Sequence, residues 1–212
     1  MTDVSPTAAA TPDVAGLVLA GGLARRMGGG EKALIPFDGQ PMIARILDRI
    51  SPSCRAILIN TNGNPNVYAP YGHPVSPDCV PGYAGPLAGI LTGLEWLHAR
   101  AETWLLSVPC DTPFLPEDLV PRLLAAAADQ KGTDVVVAAS AGRRHPVVAL
   151  WHRRLGPSLR AALVEQDIRK IDRFTAAHRT VTVEWFADGQ DPFANINSPE
   201  DLQQFSRGQV TR

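Results

Sequence analysis

Cysteine is scarce in this sequence and forms no pattern. Cys54, Cys79 and Cys110 are odd in number, far apart and without a C-x-x-C pair, which argues against a disulfide framework and a zinc cluster and points to a reducing cytoplasm. Long apolar runs are missing too: nowhere do about 18 apolar residues follow one another. No membrane partner is expected. Residues Met1 to Asp13 are rich in Thr, Ala and Pro and lack the basic start and apolar core of a signal peptide, so they are expected to form a flexible soluble tail. Charge of one sign is not in excess. With 20 Lys and Arg against 21 Asp and Glu, the chain has no basic field to hold a long polyanion, and no nucleic acid partner is expected. Glycine and proline, 18 and 19 residues, are too few for collagen or a low-complexity linker, and there is no internal repeat. What remains is an ordinary globular composition of 212 residues, 45% hydrophobic, enough to bury a core in one domain or a tight pair.

The first ordered signal is Ala15 to Ala20, a short apolar run without polar alternation, as expected of a strand covered on both faces of a parallel sheet. Pro41 to Ile50 then sets Met42, Ile43, Ile46, Leu47 and Ile50 at helical spacing behind a favourable N-terminal proline. Arg55 to Ile59 reads as a second strand, closed by a loop from Asn60 to Pro65. Alternation continues with a helix over Pro86 to Arg100, a strand over Trp104 to Val108, a helix over Pro116 to Ala128, strands over Asp134 to Ala139 and Pro146 to Trp151, and a helix over Leu155 to Glu165. Thr180 to Phe186 is β-like, and a last helix starts at Ser198 and Pro199. The pattern predicts an α/β fold of three layers around a mostly parallel, twisted sheet. Such sheets bind ligands outside the carboxyl ends of their strands.

Between the first strand and helix lies LAGGLARRMGGGEK, from Leu19 to Lys32. Gly21, Gly22, Gly28, Gly29 and Gly30 let backbone N–H groups approach an anion, and Arg25, Arg26 and Lys32 bring positive charge to the same place. This is the composition of a phosphate cradle, although the same residues also suit a flexible surface loop. It is neither a Walker A loop nor a G-x-G-x-x-G fingerprint.

Asp111, in Pro109-Cys110-Asp111-Thr112-Pro113, follows a strand directly. One carboxylate there suits Mg²⁺, which keeps waters and substrate phosphates in its octahedron; a turn aspartate bonded to its own backbone is the plainer alternative. Asp78 can reach the same edge or serve a turn. Gly85, before Pro86, opens a helix whose free N–H groups suit a base or phosphate, or only a tight turn. Asn60 and Asn62 end a strand, while Asn195 and Asn197 alternate and share a side if extended. Capping accounts for Asn197 or Ser198 but leaves Asn195 unexplained. Cys110 reads as a small buried residue, the five histidines, His145 included, as structural or exposed, and the four tryptophans as core.

Taken in order, Leu19-Ala20-Gly21-Gly22, Arg25-Arg26-Met27-Gly28-Gly29, Lys32, Asn60, Asp78, Gly85 to Gly89, Pro109 to Pro113, His145-Pro146 and Asn195-Ile196-Asn197 resemble the molybdenum cofactor guanylyltransferase family. The resemblance runs from Gly16 to about Leu202 and is weakest over Pro65 to Pro74. It implies a Rossmann-like nucleotidyltransferase fold in a single domain, residues 14–212, with a nucleotide part near 14–130 and an acceptor part near 131–205. It also implies transfer of GMP from GTP to molybdopterin or the molybdenum cofactor, with Mg²⁺ required and pyrophosphate released. Leu19, Ala20, Gly21, Gly22, Lys32, Asn60, Asp78, Gly85 and Asp111 would bind the nucleotide, Arg25, Lys32 and Asp111 would act in catalysis with Asp111 on the metal, and Asn195 and Asn197 would meet the acceptor. Molybdoenzymes or their chaperones would receive the product.

Physical chemistry is compatible with that reaction. A phosphate on the acceptor is already an anionic nucleophile, so what must be supplied is charge neutralisation around two approaching phosphates. Two alternatives stay open: a related enzyme using CTP or acting on a sugar phosphate, and a non-catalytic carrier of nucleotide or cofactor.

Overall fold

The structure is a computed structural model and describes residues 13–21, 30–82, 85–186 and 189–209. Gly22, Arg25, Arg26 and the Met27-Gly28-Gly29 segment lie outside them. Strand β1 (Val14–Leu19) leads to a small hairpin of β2 (Pro36–Phe37) and β3 (Gln40–Pro41), then to α1 (Met42–Ile50), β4 (Ala56–Asn60) and β5 (Val75–Ser76). Next come α2 (Pro86–Trp96), β6 (Trp104–Pro109), α3 (Leu119–Asp129), β7 (Val135–Ser140) and β8 (Arg143–His152). The chain continues with α4 (Gly156–Val164), α5 (Ile171–Thr175), β9 (Thr180–Trp185) and α6 (Pro199–Gln209).

Seven strands form one sheet in the order β5-β4-β1-β6-β8-β7-β9. β1 sits between β4 and β6, parallel to both, with Leu19 opposite Asn60 on one side and Pro109 on the other. β4 and β5 are parallel, as are β7 and β9, whereas β8 runs against β6 and β7. The expected mostly parallel sheet is present. Its alternating side chains divide the core: Val14, Val18, Ile57 and Leu106 meet Ile43, Ile46 and Ile50 of α1 and Leu119 and Leu123 of α3. Ala15, Leu17, Leu58 and Leu105 meet Leu87, Ile90 and Leu94 of α2, Leu159 of α4 and Phe174 of α5. Three layers follow from that division.

Several local readings shift. The helix expected from Pro116 starts at Leu119, because Pro116 to Asp118 make a turn in which Leu119 N–H donates to the Pro116 carbonyl at 3.2 Å. The helix expected to reach Arg100 gives way after Trp96 to a 3₁₀ turn, and the strand expected at Pro146 starts at Arg143. β7 and β8 are joined by Ala141 and Gly142, both at positive φ (49° and 74°), as tight turns matched to strand twist require. Asp13, expected in the tail, is tied to the start of β6: its carboxylate accepts from Thr103 N–H at 2.8 Å and its carbonyl from Trp104 N–H at 3.2 Å. No helix among the described residues is long and apolar enough to cross a membrane.

Candidate active site

The carboxyl ends of β1, β4 and β6 lie side by side, and two hydrogen bonds carry the ladder past them: Ala20 N–H to the Asn60 carbonyl at 2.8 Å and Cys110 N–H to the Leu19 carbonyl at 3.1 Å. A cleft of about 930 Å³ opens above this edge. Leu19, Gly21, Lys32, Asn60, Asp78, Gly85, Asp111 and Asn195 all line it. Ala20, also expected to touch the nucleotide, is fully buried beneath.

At the centre stands an ion pair. Lys32, on a 3₁₀ turn at Lys32–Leu34, extends its Nζ to Asp111 Oδ2 at 2.5 Å and to Asn197 Oδ1 at 2.6 Å. Residues separated by most of the chain therefore meet at one amine. Asp111 Oδ1 is buried and has no hydrogen-bond partner among the described residues, so lysine holds one oxygen of this carboxylate and no described residue meets the other. Among the described residues no three His, Cys, Asp or Glu side chains gather as a metal cage. The donor set fits Mg²⁺ rather than zinc: one carboxylate oxygen, with waters and phosphates to complete the shell. The Asp111 carbonyl accepts from Ile196 N–H at 2.9 Å, and Thr112 Oγ1 donates to Asn195 Oδ1 at 2.9 Å. These bonds tie the Asn195 to Asn197 segment to the Asp111 loop, and with the Lys32 bond each of the two amide oxygens accepts from a residue of the site. Ser198 caps α6, its Oγ accepting from Asp201 N–H at 3.2 Å.

On the β4 and β5 side, Asn60 Nδ2 donates to Asp78 Oδ1 at 3.1 Å and Asn62 Nδ2 donates to Asp78 Oδ2 at 2.8 Å. Asp78 is thus oriented by two strand-end amides, not by a turn of its own backbone. Helix α2 comes close enough to make this possible only because of Gly89: a Cβ there would lie 2.4 Å from Asn60 Oδ1 and from Leu19 Cδ2. Gly85, at φ 134°, starts the helix in a conformation that L side chains rarely adopt.

The opposite wall was not found from sequence. Arg143, Arg144 and His145, at the start of β8, also line the cleft, although His145 reads from sequence as structural or exposed. Burial lowers the His145 pKa, with Asp191 acting in the opposite sense. A signal existed in the Arg-Arg-His run ahead of an apolar strand, but its use depends on which way that strand runs. Cys110 is buried and its thiol is pushed up to about 12, chiefly by burial, in agreement with a packing role. Trp151 and Trp185 are core residues, while Trp96 and Trp104 are half-buried.

Residues 16–181 match the model of the MobA-like NTP transferase domain family. The chain is 52% identical over 200 residues to a molybdenum cofactor guanylyltransferase of Rhodopseudomonas palustris (strain BisB5), covering 93% of each chain. It is 50% identical over 203 residues to the protein of the same name from Bradyrhizobium sp. (strain ORS 278), covering 95% of each. A solved structure of molybdopterin-guanine dinucleotide biosynthesis protein A from Archaeoglobus fulgidus shares the fold, with a TM-score of 0.73 at 22% identity, over 93% of this chain and all of that one.

Proposed function

The chain belongs to the MobA-like NTP transferase domain family, and from that premise we propose that it transfers GMP from GTP to the phosphate of molybdopterin or the molybdenum cofactor. The products are the guanine dinucleotide cofactor and pyrophosphate. The observation that carries this reading is the meeting of Lys32 and Asp111 at 2.5 Å in a cleft over the strand ends, with one Asp111 oxygen unpartnered among the described residues.

In the proposed reaction an oxygen of the acceptor phosphate forms a bond to the α-phosphorus of GTP, and the bond from that phosphorus to the oxygen of the β-phosphate breaks. The electron pair leaves with pyrophosphate. The nucleophile is already anionic, so no side chain has to deprotonate it. The protein's task is to hold two anions together. Lys32 neutralises phosphate charge, and Arg25 of the glycine loop is proposed to share that role. Asp111 would hold Mg²⁺, which when bound polarises a phosphoryl oxygen and stabilises developing charge. Asn60, Asp78, Gly85 and the Leu19 to Gly22 backbone would bind the nucleoside and phosphates, while Asn195 and Asn197 would meet the acceptor. The product would pass to molybdoenzymes or their chaperones in the cytoplasm.

Incubating the protein with GTP, Mg²⁺ and molybdopterin tests the reading. A guanine dinucleotide of the pterin and pyrophosphate are expected together; GTP binding without either product identifies a carrier instead.

A further inference from the structure

The two walls of the cleft differ in charge. The β4 and β5 wall presents Asn60, Asn62 and Asp78, amides and a carboxylate, which suit the polar edge of a base or a ribose and repel a phosphate. The other wall is the β7–β8 hairpin, with exposed Arg143 and Arg144. Asp111 stands between them at the end of β6. An anion entering opposite the nucleoside therefore meets two guanidinium groups.

This wall is built to stay in place. β8 is registered with β6 only as far as Ala149 opposite Ser107, so Arg143 to Val148 continue past that pairing, held by β7 through Ser140 opposite Arg143 and Ala139 opposite Arg144. Below the arginines, Ser140 Oγ donates to Asp191 Oδ1 at 2.7 Å and lies 2.7 Å from His145 Nε2. The serine has one proton, given to Asp191, so the imidazole donates here through Nε2. The His145 ring also packs on Phe193 at 4.9 Å. At the tip, Gly142 N–H donates to Glu184 Oε1 at 2.9 Å. Yet neither guanidinium forms an ion pair with a carboxylate among the described residues. Two forked cations are presented to the cleft on a pinned hairpin, without a carboxylate partner among the described residues.

We propose that Arg143 and Arg144 form the subsite for the acceptor's phosphate monoester, bringing it to the side of Asp111 opposite the nucleoside. Arginine suits this because its planar fork donates two parallel hydrogen bonds to a phosphate and keeps its charge at every working pH. The charge also offsets the repulsion between the incoming phosphate and the triphosphate. Ser140, His145 and Asp191 act as positioning residues. The inference rests on the transferase reading above.

Steady-state kinetics of the full chain with Arg143→Ala, Arg144→Ala and the double variant tests it. Each single change should raise the acceptor KM about tenfold and the double change further, while the GTP KM stays within about twofold. Arg144→Lys should recover part of the loss, which separates lost charge from a misfolded hairpin. A second arm needs no turnover: equilibrium binding of a phosphate-bearing pterin and of the same pterin after phosphatase treatment. The wild type should prefer the phosphorylated form, and the double variant should lose that preference. An unchanged acceptor KM, a rise in GTP KM instead, or a preference that survives in the double variant overturns the subsite. A wild type that shows the arginine-dependent preference but forms no dinucleotide keeps the subsite and refutes the transferase reading.

Discussion

Asp111 is asked to do two things with its two oxygens. Oδ2 accepts from Lys32, and Oδ1 is buried without a partner among the described residues; in the proposed reaction that oxygen would hold Mg²⁺. Asp111→Asn keeps the shape and an acceptor but removes the charge that a divalent cation needs. Turnover with Mg²⁺ should fall at least about a hundredfold, corresponding to about 3 kcal/mol of transition-state stabilisation. Circular dichroism and melting temperature should change little. Unchanged turnover in that variant would remove Asp111 from the chemistry.

His145 couples the same cleft to pH through its half-buried ring. Burial holds its pKa below the ordinary 6.5, with the Asp191 carboxylate opposing. A histidine depressed in the folded state stays neutral there while the unfolded chain takes up the proton. Its contribution to stability is therefore full above the unfolded pKa and is lost as pH falls through about 6.5 toward the lower folded value. His145→Gln, which keeps a side-chain N–H for Ser140, should flatten part of the decline in melting temperature between about pH 7 and pH 5. His73 and His152, also lowered chiefly by burial, would keep the remainder. Identical slopes in wild type and variant would show that this ring titrates normally.

Among the elements, α2 depends on one missing side chain. Its Gly89 allows the helix to rest against Leu19 and Asn60, and Asn60 in turn orients Asp78. Gly89→Ala has to displace a side chain that is hydrogen-bonded on the cleft wall. Stability should fall by about 1–3 kcal/mol, and the GTP KM should rise while the acceptor KM changes less, as parallel titrations of the two substrates would measure. Equal effects on both would place the disturbance elsewhere.

The elements also show how far local pattern reaches. β1, β4 and β6 were legible because each is a short apolar run buried on both faces, and α1 because its apolar residues repeat at helical spacing. Asp38-Gly39, both at positive φ, carries a strong hairpin signal that joins β2 to β3 but flanks strands too short to show alternation. Ala141-Gly142 makes an equally tight turn without the usual Asn or Asp. The 3₁₀ stretch Pro65–Tyr71, capped by Asn64, has no counterpart in the sequence reading, because its prolines and asparagines obscure any helical period.

For the whole molecule, topology gathers what the chain disperses. Lys32, Asn60, Asp78, Asp111 and Asn195 each end or follow a strand or precede a helix, so a parallel sheet brings them to one edge by its construction. That part of the site could be read from residue type and position alone. Arg143 and Arg144 begin their strand, and they reach the same edge only because β8 runs against its neighbours. No local period encodes that direction, which comes from the tight turn after β7 and the packing of Trp151 and Ala149 into the core.

The central claim is that one cleft joins a guanine nucleotide to a phosphate-bearing acceptor. Its most direct test is to offer GTP, CTP and UTP in parallel, each with Mg²⁺ and molybdopterin, and to quantify pyrophosphate and the pterin product by mass spectrometry. One pyrophosphate is expected for each guanine dinucleotide formed, with little product from CTP or UTP. Preferred transfer from CTP, or GTP bound tightly with no pyrophosphate released, would contradict it.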